Sequence, residues 1–397
     1  MKTLFILSLA PLVLSQTIKN LVVFGDSYSD VGNFQRWSNG PIWSENLAVG
    51  WNASLLSFAI SGATCDNAPF VNLTESEPMP SVKDQIEHYY NLSLNHSMNE
   101  TIFAFWVGAA DIHNTFKLQG ESSGVPDFKE LSACIIQQMR EVRQVFGANR
   151  FILLNTLPLQ HLPYFAGTEM AENRANASIQ LNKLLVREVN MMNKYYHALE
   201  LDLVDMHTLI SDIVADPEAF NFTDATTPFW DKCQGQCTEE KVNDYVWWDQ
   251  THLTGGVHEK IANSILSAAS FADPTWVNSD DVQTLIQDPH SPYRSKNYTS
   301  PLNTGLIGRI IEELNAAKQL AKNTARLNHI QDDNNITTSI SHSYLMFTLF
   351  GLIFFGIVLG IRKRRSTNAF NNVSGLFGPR RGTRFTPIRK TDDGAMA

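Results

Sequence analysis

Three short stretches of the chain carry residue types that can perform acyl transfer together. Ser27 follows Gly25-Asp26 at the end of the apolar run NLVVFG, residues 20–25. A serine just past a buried parallel strand sits at the carboxyl edge of the sheet, where the sites of such folds occur. By itself it also reads as a helix N-cap. Far along the chain stands Asp249-Gln250-Thr251-His252. A hydroxyl nucleophile at neutral pH needs an adjacent base, and the base needs an acceptor that fixes its tautomer. An aspartate three residues before a histidine can supply that acceptor from one loop. The third stretch is Ser61-Gly62-Ala63-Thr64. Its glycine lets a backbone N–H come close to a substrate oxygen, although alone the stretch reads as a turn.

Positioning these residues requires a sheet. Residues 20–25, 101–108, 150–156 and 199–205 form apolar runs without polar alternation, as strands buried on both faces do. Helical patterns lie between and after them at 128–146, 171–195 and 256–270. Strand–helix–strand alternation predicts an α/β protein, a parallel sheet with helices on both faces. Residues 273–303, rich in Pro, Ser, Asn and Asp, read as a loose connector. Residues 305–327 have helical periodicity, with Leu306, Ile310, Leu314 and Ala317 on one face. They read either as a stalk helix or as a helix packed back on the domain.

Taken in order, the stretches resemble the GDSL or SGNH hydrolase family, and within it the secreted fungal acylhydrolases and acetylesterases. The blocks are FGDSYSDVGN at 24–33, FAISGATCDN at 58–67, WVGAADI at 106–112 and WWDQTHLTGGVHEKIA at 247–262, and RWSNGPIWSENLA at 36–48 adds to the likeness. The resemblance covers residues 20 to about 270 and implies a three-layer α/β/α sandwich with a parallel flavodoxin-like sheet. It also implies an ester hydrolase with no metal cofactor. On this likeness Ser27 is the nucleophile, His252 the proton acceptor and Asp249 the residue that orients His252. The backbone N–H groups of Ser27 and Gly62 form the oxyanion hole. The chain has no H-E-x-x-H helix, phosphate loop or G-x-G-x-x-G.

One position departs from the pattern. The third block of the family reads Gly-x-Asn-Asp, and its Asn side chain donates to the oxyanion. This chain reads Gly108-Ala109-Ala110-Asp111. Losing one such donor costs about 10²–10³ in rate. Three readings follow: a slow esterase, a substitute donor such as Asn114 one helical turn beyond Ala110, or a relic site. The rival to an esterase is therefore a catalytically impaired surface binding protein that uses the same cleft. Trp37, Trp43, Trp106, Trp247 and Trp248 lie in or beside the blocks and can form an aromatic wall, several of them as core residues. His161 can line the cleft, and His258 reads as a surface residue.

The ends set the compartment. Residues 1–15 carry Lys2, an apolar stretch and a small-residue pattern ending at Ser15, the features of a secretory signal. Residues 344–361 are uncharged and apolar, and Arg362, Lys363, Arg364 and Arg365 follow at once. That is a spanning helix with a cytosolic flank. The expected organisation is a signal at 1–15, a hydrolase domain at 16–272, a connector and stalk at 273–343, a transmembrane helix at 344–361 and a basic cytosolic tail at 362–397. This is a single-pass type I protein of the secretory pathway, its domain extracellular or lumenal. The tail, with nine Lys/Arg against two Asp, carries +7. With Lys2 also set aside, the overall −9 becomes −17 for residues 16–361, which argues against nucleic acid as a partner. The expected partners are an ester substrate, an acetylated sugar or a lipid ester, and the membrane. Four cysteines suit an oxidising compartment. Cys233 and Cys237 are close enough for a local bridge, leaving Cys65 for Cys134. Sequons stand at Asn52, Asn72, Asn91, Asn95, Asn99, Asn176, Asn221, Asn297 and Asn335.

Overall fold

The computed structural model describes residues 17–73, 78–233 and 239–334. Five strands form one sheet: β1 (Asn20–Gly25), β2 (Ser54–Ser57), β3 (Thr101–Trp106), β4 (Arg150–Leu154) and β5 (Glu200–Val204). All pairs are parallel, in the order β2-β1-β3-β4-β5. The helices are α1 (Trp43–Trp51), α2 (Val82–Asn91), α3 (Ala109–Gln119), α4 (Lys129–Phe146), α5 (Ala171–Tyr195), α6 (Met206–Ala215), α7 (Phe229–Cys233), α8 (Gly255–Ser267), α9 (Ser279–Gln287) and α10 (Leu306–Asn334). The chain runs outward from β1 to β2, then returns across β1 to β3. Right-handed crossovers in opposite directions put the connecting helices on opposite faces. Accordingly α1 packs with α8 and α9, while α4 packs with α2 and α5. The expected α/β fold with a parallel flavodoxin-like sheet is the observed one. The order reverses between β1 and β3, and ligands of open α/β sheets bind at the carboxyl ends flanking such a reversal.

The core explains why the apolar runs became strands. Leu21, Val22, Val23 and Phe24 of β1 are fully buried, as are Ile102 to Phe105 of β3 and Phe151 to Leu154 of β4. Phe24 contacts the rings of Phe58, Tyr89, Phe103 and Phe105 at centroid distances of 5.8, 6.0, 6.4 and 5.3 Å. Strand β2 was not among the expected strands. Its four residues, SLLS, are too short to give a period.

Residues 288–305 are a docked strap, not a loose connector. The Leu55 N–H donates to the Pro292 carbonyl at 2.9 Å, and the Ser57 N–H to Ser295 Oγ at 2.9 Å. The open edge of β2 is thereby covered, which protects donors that an edge strand would otherwise expose. Tyr298 stacks on Phe58 at 4.2 Å, and its N–H donates to Asn33 Oδ1 at 2.7 Å. Glu87 of α2 accepts from Thr304 N and Oγ1 and from Leu306 N at 2.7, 2.8 and 2.9 Å, which caps the start of α10. Ile307 is buried and Ile311 packs on the core, while Gln144 of α4 bonds Asn315 at 3.1 Å. The first turns of α10 therefore pack back on the domain, and its next three turns run exposed. The folded unit continues past residue 272. Strap residues reach it mostly through hydrogen bonds of their own main-chain groups, a pattern that composition does not reveal.

Cys65 and Cys134 are bridged, with Cα atoms 6.3 Å apart across a sequence separation of 69. The chain-entropy account gives a loop of that length about 4 kcal/mol of stabilisation. The bridge ties the segment after Gly62 to α4. Cys237 lies outside the described residues, and with it the expected Cys233–Cys237 bridge. So do the expected signal at 1–15, Asn335, the span at 344–361 and the tail. Among the described residues no helix is long and apolar enough to cross a membrane. The eight other sequon asparagines are all exposed.

Candidate active site

Strand β1 ends where its partner β2 has already stopped. The buried side chain of Gln85 on α2 pins Gly25 there, accepting from Gly25 N and donating to Gly25 O, both at 2.9 Å, and Gly25 O also accepts from Ile60 N at 3.1 Å. Any Cβ at Gly25 would strike the Trp106 carbonyl oxygen, so only glycine fits. The Asp26 N–H then donates to that carbonyl at 3.2 Å, and Ser29 N to Asp26 O at 3.0 Å closes a turn with Ser27 inside it. Ser27 is half-buried.

Asp30, which the sequence reading did not single out, joins the first two blocks. Its Oδ1 accepts from Gly32 N and Asn33 N at 2.8 and 2.7 Å. Its Oδ2 accepts from Ser61 N and Ser61 Oγ, both at 2.8 Å. Asn33 adds donations to Ser57 O and Ala59 O at 2.8 and 2.9 Å. These bonds lock the loop before Gly62, whose φ of +82° is a glycine conformation. Neither the Ser27 N–H nor the Gly62 N–H donates to an acceptor among the described residues. An Asx-type turn is the signal that could have found Asp30.

Across the sheet edge, Asp249 and His252 form a closed unit. His252 Nδ1 lies 2.7 Å from Asp249 Oδ2 and 2.9 Å from Oδ1. Asp249 Oδ1 also accepts from Thr251 N and His252 N, both at 2.8 Å. Burial acts to raise the Asp249 pKa, but these donors outweigh it and hold the carboxylate below its ordinary range. Tyr28, next to Ser27, donates its hydroxyl to Thr251 O at 2.8 Å, and its ring centre is 5.8 Å from that of His252. Burial first, then Asp26 and Asp249, push the Tyr28 pKa well above normal, so it remains a neutral donor. Sequence positions 28 and 252 thus meet at one sheet edge. No hydrogen bond joins His252 Nε2 to Ser27 Oγ among the described residues; the ring's bonds run through Nδ1 to Asp249 and Thr251.

The third block opens α3. Gly108 takes φ +134°, and the helix begins at once with Ala109 and Ala110. Ala110 is half-buried. Asn114 is half-buried one turn further along α3, and its side chain has no hydrogen-bond partner among the described residues. Asp111 is buried; its Oδ1 accepts from Cys65 N at 2.9 Å and its Oδ2 has no partner among the described residues. Burial pushes the Asp111 pKa up to about 7. Burial, with a smaller contribution from Asp111, pushes Asp26 up to about 8 against the opposing Tyr28 N–H. A buried carboxyl oxygen without a donor fits the protonated form. Folded pKa values raised above the ordinary 3.8 favour folding fully below about pH 4 and lose that contribution as pH rises through about 7 to 8. Asp26→Asn should therefore gain stability relative to the natural chain between pH 5 and pH 8, read as the difference in urea midpoints. A pH-independent difference would rule this out.

The five tryptophans divide. Trp43, Trp106 and Trp247 are core residues. Trp37 and Trp248 are half-buried beside the Asp249–His252 loop. His258, expected at the surface, is buried in α8, and burial, aided by Arg36 and His252, drives its pKa down to about 3. Helix α8 is covered by both α1 and α9, so its polar residues go inside with the rest. His161 is half-buried in a short turn after β4.

The model of the GDSL-like lipase/acylhydrolase family matches residues 21–265, from β1 into α8. The chain belongs to this family of carboxylic ester hydrolases. Curated relatives of the family member include the thermolabile hemolysin of Vibrio parahaemolyticus, 25% identical over 64% of this chain and 64% of the relative. The chain thus spans just under two thirds of the hemolysin's length. An acetylesterase of Hypocrea jecorina is 23% identical over 64% of this chain and 89% of the relative. Among solved structures, the acetylxylan esterase Axe2 of Geobacillus stearothermophilus is 12% identical, with a TM-score of 0.36, over 66% of this chain and 99% of that one.

Proposed function

We propose that this GDSL-family chain is a serine esterase of the secretory pathway. It cleaves short acyl esters, acetylated carbohydrate first and lipid ester second, through an acyl-enzyme on Ser27. The observation that carries the reading is the Asp249–His252 pair at 2.7 Å, with Tyr28, the neighbour of Ser27, packed beside the imidazole. In this scheme Ser27 Oγ attacks the ester carbonyl while His252 Nε2 takes its proton. The tetrahedral oxyanion is met by the N–H groups of Ser27 and Gly62, which have no other acceptor among the described residues. Collapse of the adduct breaks the C–O bond, and His252 returns the proton to the leaving alcohol. Water, activated by the same imidazole, then releases the acid and restores Ser27. Nucleophile–base bonds of this kind tighten when substrate binds. The acetyl preference is supported by the Hypocrea jecorina acetylesterase. The apolar run at 344–361, the basic cluster after it and the apolar start of the chain support a type I membrane anchor.

Labelling of the full-length protein by a fluorophosphonate probe tests the reading. Adduct on Ser27, lost in both Ser27→Ala and His252→Ala, is the expected result. Ala110 in place of the family's asparagine favours the second reading, a binding protein with a weakened site. Absence of any labelling, with the protein folded, would establish that reading instead.

A further inference from the structure

The loop after the first block is clamped at its centre. Arg36 forks onto both carboxylate oxygens of Glu45 at 2.7 and 2.6 Å, and also donates to Gly40 O and Val31 O at 3.0 and 3.1 Å. Bidentate arginine–carboxylate pairs fix geometry as well as charge. The next residue, Trp37, lays its indole flat on the imidazole of His252. The ring centres are 5.0 Å apart and the planes 8° from parallel. Tyr28 meets the same imidazole at 54°. Asp249 holds Nδ1 at 2.7 Å.

Trp37 differs from the core tryptophans. Trp43 and Trp247 are fully buried, and their indole N–H groups donate to Ser29 Oγ and Ala225 O at 3.1 and 2.8 Å. Trp37 is half-buried, and its N–H has no acceptor among the described residues. Its ring contact is with the imidazole. We propose that Trp37 is a positioning residue for His252: the clamped indole fixes the plane of the imidazole so that Nε2 faces Ser27, and its π face favours the imidazolium formed when the ring holds the serine proton. The inference rests on the serine-esterase reading. A base that forms its cation transiently gains from a face that attracts cations, while substrate affinity is left to other groups.

Steady-state hydrolysis of p-nitrophenyl acetate by the full-length protein tests it, together with NMR of carbon-labelled histidine. Trp37→Leu should lower kcat about tenfold with KM within about twofold, and Trp37→Phe should recover most of the loss, in line with the size of exposed to desolvated cation–π effects. The His252 ring C–H, assigned by its absence in His252→Asn, should be displaced upfield by the stacked indole. That displacement should vanish in Trp37→Leu and persist in part in Trp37→Phe. Unchanged kcat beside an active natural chain, a loss confined to KM, or an unmoved His252 resonance in Trp37→Leu would each overturn the proposal. A natural chain with no Ser27-dependent turnover would instead sink the esterase reading, a separate outcome.

Discussion

Asp249→Asn should lower kcat by about 10⁴, the scale seen when the acceptor behind a catalytic histidine is made an amide. The expected loss follows from the bonds at this carboxylate. Asp249 Oδ1 accepts from Thr251 N and His252 N, and an asparagine oxygen can keep both. The loop should therefore hold its shape. The other oxygen accepts from His252 Nδ1 at 2.7 Å. An amide NH₂ in that place is a donor facing a donor. The imidazole escapes the conflict by moving its proton to Nε2, and a protonated Nε2 cannot accept from Ser27. The backbone stays and the base is lost. Because donors hold Asp249 ionised below its ordinary range, the natural site keeps the correct tautomer across neutral pH. The check is kcat with circular dichroism and urea midpoints on both proteins. A folded Asp249→Asn enzyme within tenfold of the natural rate would show that His252 does not act as the base.

Local pairings were legible in the sequence, and contacts across the fold were not. Asp249 and His252 share one loop, so Asp-x-x-His could be read directly. The buried strands betray themselves by unbroken apolar runs, and β1 and α5 fall on their expected bounds. The stack of Trp37 on His252 joins positions far apart in the chain, and tryptophan types alone do not separate it from Trp43. Gln85 was invisible for a similar reason. Its amide bonds both main-chain groups of Gly25 from a helix 60 residues away, a contact that exists only in the folded chain. The same limit applies to the strap, whose Pro- and Asn-rich composition reads as loose although Glu87 and Asp84 hold it. His258 went inside because α8 is covered on two sides, which no one-sided helical pattern reveals.

Ala110→Asn should raise kcat by about 10²–10³, the size of one oxyanion donor. The setting favours a gain. Gly108 and Asp111 keep the family's block on either side of Ala110, and Asp111 remains tied to Cys65 N beside the Gly62 loop. Ala110 stands in the first turn of α3, half-buried, where an added amide need not displace core atoms. The existing N–H donors of Ser27 and Gly62 would then be joined by a third. Asn114 offers a rival route, since it lies one turn on and its side chain has no partner among the described residues. The two are separated by a double-mutant cycle. If Asn114 substitutes for the missing donor, Asn114→Ala alone lowers kcat more than it changes KM, and Ala110→Asn rescues it. If the site simply runs on two donors, Asn114→Ala is neutral and Ala110→Asn gives its full gain in either background. A folded Ala110→Asn protein with unchanged kcat would mean that the oxyanion does not develop opposite α3, and would remove the reason for treating Ala110 as a handicap.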